Sequence, residues 1–358
     1  MNDRPLLLGI LTITTVLLAW LFAPFAKPIS VAVLLVYALW PIIRVVERGL
    51  SHLCRRWNRC QPFTPLIAAS ATTLILALLF FGPLAYLAIS LLGSIANADL
   101  PAFWATFKGW LASPPTLPPY LSSFEEGYQA FIQTLYIWTP NPEQLQRVAV
   151  AVGSILGDAA VSLGEMVMIL VFFFFFAWYA KPLSAYLQAL IPLSPIYQTR
   201  LAMEVMRTLS VVFMTLLGVM IAQGVAFGLF LYFYGGGYNP LLLGLLTGFS
   251  SIVPIVGTAL VWVPVALQEL IRGHTGGALV IALYSYIMLA VIIDNFVKLL
   301  LLNSINRWVG GRERINEFLI FFGIVAGLAT FGFWGFVLGP GIVALFVATT
   351  RLYMTKES

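Results

Sequence analysis

"LLLGLLTGFSSIVPIVGTALVWVPVAL" runs from Leu241 to Leu267. It is apolar enough to sit in hydrocarbon, yet glycine and proline recur inside it, and both residue types interrupt a continuous helix. A helix rising about 1.5 Å per residue needs roughly 20 apolar residues to cross about 30 Å of hydrocarbon. This stretch therefore forms either a kinked but complete span or a hairpin that enters and leaves on one side. Which of the two holds decides the architecture of the C-terminal half.

The rest of the chain sets the context. Of 358 residues, 61% are hydrophobic and only 9% are charged, a balance that gives a soluble domain too little polar surface to cover itself. Several apolar runs reach spanning length, so the chain is an all-α, polytopic helical membrane protein. The net charge of +5 is no sign of nucleic acid. Arg44, Arg48, Arg55, Arg56 and Arg59 crowd one loop between apolar runs, as cytoplasmic loops do under the positive-inside bias. Cys54 and Cys60 flank that cluster without partnering histidines and read as reduced thiols, not as a metal site.

Along the chain, the first run follows a short charged start and continues into "FAPFAKP", where prolines spoil a cleavage site, so it reads as a retained span. Residues 1–93 form an N-terminal region in which spans at about 5–23 and 28–43 make a hairpin, the basic loop 44–61 follows, and a third span covers about 64–92. Segment 94–154 is polar and extracytoplasmic. Within it Leu100, Phe103, Trp104, Phe107, Trp110 and Leu111 share one helical stripe, suited to the membrane interface or equally to the protein's own outer surface. Asn141-Pro142-Glu143 has the makings of a helix start, and one helix is expected from there to about Tyr179. In region 155–208 that span is followed by an amphipathic cytoplasmic helix beginning at Ser194-Pro195. Residues 351–358 are a cytoplasmic tail.

Region 209–350 reads as two similar units, each a clean span (about 209–233 and 276–300) followed by a broken stretch. The second broken stretch is "FLIFFGIVAGLATFGFWGFVLGPGIVAL", 318–345. Gly323 and Gly327 repeat Gly244 and Gly248 at an offset of 79 residues. Charge separates the two topologies. Complete crossings leave twelve basic residues inside and seven outside, whereas hairpins move Lys298, Arg307, Arg312 and Arg314 inside and Arg272 outside, for fifteen against four. Hairpins satisfy the bias better and make the two units inverted copies, an arrangement of secondary transporters. Pro254 and Gly257 in one hairpin, and Gly335, Gly339 and Pro340 in the other, are the expected tip and hinge residues.

Within the second clean span, "AVIIDNFVKLLLL", Ala290 to Leu302, carries Asp294, Asn295 and Lys298 in an otherwise apolar run. An ionisable group there is costly and marks a functional site by default. Asp294 is a candidate to bind a proton or cation and Asn295 to offer a ligand oxygen. Lys298, four residues on, equally offers Asp294 a structural ion pair. Gln223 in the other clean span is either a substrate contact or interhelical glue. Ser250 and Ser251 before Pro254 could meet a polar solute or satisfy broken backbone, and Glu165 is a second candidate acid. His52 and His274 lie in loops with no catalytic neighbours.

"GFSSIVPIVGTALVWVPVAL", then "DNFVK", then "GLATFGFWGFVLGPGIVAL", in that order and spacing, resemble the autoinducer-2 exporter family of bacterial inner-membrane permeases, including its PerM-like members. The likeness covers most of the chain. It implies about eight membrane segments, homo-oligomeric assembly (pentamers are known in the family), and export of a small signalling molecule or sodium/proton exchange in some members. One departure stands out: the family often has a proline soon after its Asp-Asn pair, and this chain has Asn295-Phe296-Val297-Lys298-Leu299. The kink or coordination such a proline supports does not carry over.

The sequence has no phosphate-binding glycine loop with lysine, serine elbow, histidine-glutamate metal motif or Gly-x-Gly-Asp protease pattern. An enzyme is not expected, nor a cofactor, and transport must draw on a gradient. The expected protein is a homo-oligomeric inner-membrane permease with cytoplasmic termini that exports a small solute by hairpin or elevator-like movement of 209–350. Sodium/proton antiport is the alternative. A non-transporting membrane scaffold is the alternative of another class, separable by neutralising Asp294 and asking whether assembly survives loss of function.

Overall fold

A computed structural model of the chain describes residues 4–55, 63–96, 105, 108, 109, 111–113, 125–137, 164–190, 194–253, 256–310 and 317–356. Among the described residues the protein is helical throughout, without strands. Five helices are long and apolar enough to cross a membrane, or six if the bent pair Gly164–Trp178 and Ala180–Tyr186 counts as one more. Among the described residues this does not confirm the expected count of about eight, and three places bear on it.

The first lies at the N-terminus. Helix α1 (Arg4–Phe22) is joined to α2 (Ala26–Arg55) by a single 3-10 turn, Ala23–Phe25. Phe22 and Ala26 both keep right-handed helical backbone, so the expected hairpin does not form and 12–51 continues as one apolar helix. Pro24 and Pro28 sit in first turns of helix, where a missing N–H breaks no bond. The third expected span does form: α3 (Thr64–Leu76) passes through a π-helical turn, Ala77–Phe81, into α4 (Gly82–Ala96). A short helix, α5 (Glu125–Ile137), lies in the polar segment. Of the aromatic stripe only Leu111 falls within the described residues, and it is buried. The expected helix start at Asn141 lies outside them. Helix α6 (Gly164–Trp178) turns by 77° into α7 (Ala180–Leu190). The amphipathic helix expected at Pro195 and the clean span after it are one helix, α8 (Pro195–Tyr234), of 40 residues.

The second place is the quoted stretch. It forms α9 (Pro240–Ser250) and α10 (Ala259–Ile271), each too short to cross the bilayer. Asn239 caps α9, its side-chain oxygen accepting from Leu242 N at 3.1 Å, with Pro240 in the first turn. If 240–271 ran straight its ends would be separated by about 48 Å at 1.5 Å per residue. Instead Tyr238, just before α9, donates to Glu269 near the end of α10 at 2.6 Å. The chain doubles back on itself, as a helical hairpin.

The third is 318–350. Length and hydropathy alone count it as one span, but α13 (Glu317–Phe331) and α14 (Gly335–Lys356) lie against each other. Residues eight apart in a straight helix are separated by about 12 Å, yet the backbones of Gly327 and Gly335 touch, as do those of Gly323 and Gly339. The reversal is made at Gly332, whose φ of +65° favours glycine. This corrects the expected tip: Pro340 is inside α14, eight residues past the turn, and Gly335 and Gly339 are leg-to-leg contacts. Pro254 lies outside the described residues. Gly257 is in the turn between α9 and α10, where a Cβ would strike the Ser250 carbonyl oxygen.

The chain forms two compact units. One comprises Met1–Phe81, Gly164–Thr215 and Leu302–Ser358. In it α2 packs on α3 and α14, with Leu34 against Gly341, and Phe80 among Phe333, Trp334 and Phe336. The other comprises Gly82–Leu163 and Leu216–Leu301. Its core is Val219, Phe227, Leu231, Val261, Val265, Ile281, Leu289 and Ile293, drawn from α8, the first hairpin and the helix that follows: α11 (Thr275–Tyr284), a π-helical stretch Ser285–Val297, and α12 (Lys298–Val309).

Candidate functional site

Helix α8 and the helix from Thr275 run antiparallel inside the second unit. Gly218 meets Leu301, Gln223 meets Asp294, and Tyr284 donates to the Ala226 carbonyl at 2.9 Å. The two clean spans therefore point in opposite directions, and each leads into a helical hairpin, which is the expected inverted order. Hairpin leg α9 is held to α8 through glycines. A Cβ on Gly224 would lie 2.9 Å from Gly244 O, and one on Gly244 would lie 3.0 Å from Gly228 Cα. Backbones approach this closely only where side chains are absent, a common device for helices in membranes. The repeat has a limit here: Gly244 and Gly248 pack on the preceding span, whereas Gly323 and Gly327 pack on the following leg of their own hairpin.

Asp294 and Asn295 lie in the π-helical stretch, thirteen residues long. Such geometry is rare and mostly confined to single turns, often at functional sites. Asn295 helps to hold it, its Nδ2 donating to Ala290 O and Val291 O, both at 3.0 Å. Its amide nitrogen thus serves the backbone. Asp294 Oδ1 accepts a hydrogen bond from Gln223 Nε2 at 2.8 Å. Gln223 is 1% exposed, and its carbonyl oxygen Oε1 has no hydrogen-bond partner. Asp294 itself is exposed, and among the described residues its Oδ2 accepts no protein hydrogen bond. A buried polar atom without a partner is uncommon and costs on the order of 1–3 kcal/mol. The arrangement therefore offers one anionic and one neutral oxygen with free acceptor capacity, at the level of an apolar span.

The other candidates separate from this pair. Lys298 is exposed and, among the described residues, makes no ion pair with Asp294; the partner found for the acid is Gln223, 71 residues away. Ser250 and Ser251 donate to Thr247 O and Gly248 O at 3.1 and 2.6 Å, so both hydroxyls are spent on the end of α9. Glu165, in the first turn of α6, is bound by Lys27 of α2, whose Nζ lies 3.0 and 2.9 Å from its two oxygens. It stands in the other unit, as do Gly335, Gly339 and Pro340.

One group was missed in the sequence. Glu269 is a buried carboxylate surrounded by Tyr234, Tyr238, Arg272 and His274. An acid followed closely by an arginine and a histidine reads as an exposed loop edge, and nothing in the sequence links it to two tyrosines more than thirty residues earlier. Tyr238, in the loop before α9, has its phenol pushed well above its ordinary range by burial and by its bond to Glu269.

Antiparallel spans, each leading into a helical hairpin, with an acid and an amide paired across them, define a polytopic membrane transporter in outline. Comparison with known proteins gives the family. A description of the AI-2E transporter family matches residues 9–355, and the chain belongs to that family. It is 33% identical over 301 residues to a Helicobacter pylori protein whose name places it among transport proteins, covering 81% of this chain and 82% of that one. Similarly named proteins of Treponema pallidum (38% over 122 residues, 34% and 28% of the two chains) and Aquifex aeolicus (27% over 150 residues, 42% and 40%) resemble it in part.

Proposed function

We propose that this protein is a secondary transporter that exports a small solute through region 209–350 by hairpin or elevator-like movement, with Asp294 and Gln223 as its polar contact. It acts as a homo-oligomer in the bacterial inner membrane with the C-terminus cytoplasmic, the N-terminal helices supporting assembly. The observation that carries this is the Gln223–Asp294 bond, with the unpartnered Gln223 oxygen beside it. An acid at this depth is expensive unless it has work to do. Ionised, Asp294 accepts from the glutamine nitrogen. Protonated, it becomes a donor, and a rotated amide would present Oε1 to receive it, so the pair can serve both protonation states.

Sodium/proton antiport is favoured by the same oxygens, since a carboxylate and an amide carbonyl suit a small hard cation. Proteoliposomes carrying purified protein, under an imposed pH gradient, separate the two readings. Proton or sodium flux in wild type that falls at least ten-fold in Asp294→Asn, with assembly intact, makes Asp294 the coupling group. Absence of ion flux from both favours uncoupled solute export and gives Asp294 a structural role.

A further inference from the structure

Glu269 stands in the last turn of α10, 2% exposed, with both oxygens occupied. Oε1 accepts from Tyr238 Oη at 2.6 Å and from Arg272 Nη1 at 3.3 Å. Oε2 accepts from Tyr234 Oη at 3.0 Å and lies 3.1 Å from His274 Nδ1. Arg272 also donates to the Gly236 carbonyl at 3.1 Å, and its guanidinium covers the Tyr238 ring at 5.4 Å. Gly277, in the first turn of α11, comes so close that a Cβ there would strike Tyr234 Oη and lie 3.0 Å from Glu269 Oε2. Four pieces of chain therefore converge on one carboxylate: the end of α8, the loop before α9, the end of the hairpin and the start of the next span.

We infer that Glu269 is a positioning residue that clasps the base of the first hairpin to both flanking spans and keeps that end closed throughout transport. The inference rests on the transport reading above. The contrast with Asp294 assigns the roles. Asp294 has one donor and a free oxygen, the state of a group that can exchange a proton or ligand. Glu269 has four donors and no free oxygen, the state of a buried charge held permanently ionised. Burial alone would raise its pKa, but the bonds from Tyr238, Tyr234 and His274 outweigh burial and hold it below the ordinary range. Those groups, with Arg272, are the titratable and charged side chains that bond it, and they come from each of the converging elements.

Two measurements on the full-length protein test this. The first is hydrogen exchange, corrected for intrinsic rates, in peptides covering 235–243 and 266–278. Glu269→Gln, and separately Tyr234→Phe with Tyr238→Phe, should speed exchange there at least ten-fold and leave peptides around 290–302 unchanged. Unchanged exchange at the base would overturn the clasp. The second uses Tyr238→Cys with Arg272→Cys, in a background of Cys54→Ser and Cys60→Ser, joined by a short bismaleimide. Ion flux in the joined protein within two-fold of the Cys54→Ser, Cys60→Ser background supports a base that stays closed, and flux that the unjoined pair retains and the link abolishes overturns it. Exchange needs no transported solute, so a wild type without ion flux counts against ion coupling alone and leaves the exchange result to decide the clasp.

Discussion

Gln223 and Asp294 meet across two antiparallel helices, the amide nitrogen of one donating to the carboxylate of the other at 2.8 Å, while the amide oxygen is left buried and unpaired. Both stand in otherwise apolar runs, where an acid and an amide are costly. Their presence is a departure from what stability alone selects, and the predictions below follow from it and from the helices that hold it in place.

Gly244 faces Gly224 and Gly228 so closely that a Cβ would lie 2.8 Å from Gly224 O. Gly244→Val should therefore force α9 off α8. Overpacking of this kind costs about 1–3 kcal/mol, and thermal unfolding in detergent should show a lowered midpoint. Gly276→Ala is the control, since nothing lies within 4 Å of a Cβ there; its midpoint should stay near wild type. Equal midpoints for both variants would contradict the close helix contact.

Glu165 should prove dispensable for transport. Its pairing with Lys27 is partly exposed, with side chains 38% and 27% accessible, and pairs in such settings contribute about 0.2–1 kcal/mol at most. Glu165→Gln is expected to change flux by less than two-fold while Asp294→Asn reduces it at least ten-fold. A collapse of flux in Glu165→Gln comparable to that in Asp294→Asn would return Glu165 to the transport machinery.

The clasp at Glu269 has a defined pH behaviour. A carboxyl whose pKa is depressed by folding contributes stability that is fully present above its unfolded pKa, about 4.3 for glutamate, and is lost as pH falls through the folded value. The direction found for Glu269 is downward. Its contribution to protection of peptides 266–278, read as the difference between wild type and Glu269→Gln, should be flat from about pH 8 to pH 5.5 and vanish only well below pH 4.3. A difference that disappears between pH 7 and pH 5.5 would contradict the assignment.

What could be read from the sequence follows from how local each signal is. Membrane residence needs only hydropathy, and the hairpins needed only broken apolar runs and a count of basic residues. The tip of the second hairpin was not legible. Six glycines, at 323, 327, 332, 335, 339 and 341, occupy that stretch; only Gly332 reverses the chain, four of the others let the legs touch, and Gly341 meets Leu34 of α2. Pro340 looked like a breaker, but α14 absorbs it. The expected hairpin of the first two helices failed similarly, because Pro24 and Pro28 fall where a helix tolerates proline. At the site, Asp294 and Gln223 each stood out as polar groups in apolar runs, whereas their pairing is a tertiary fact. Glu269 gave no signal at all, since its tyrosine partners come from another part of the chain.

The most direct test of the central claim is a double-mutant cycle on proteoliposome flux with Gln223→Leu, Asp294→Asn and both together. If the pair works as one contact, each single variant should lose at least ten-fold and the double should be no slower than the worse single, because groups acting as a unit are not additive. Losses that multiply in the double variant, or either single variant keeping wild-type flux, would contradict the account.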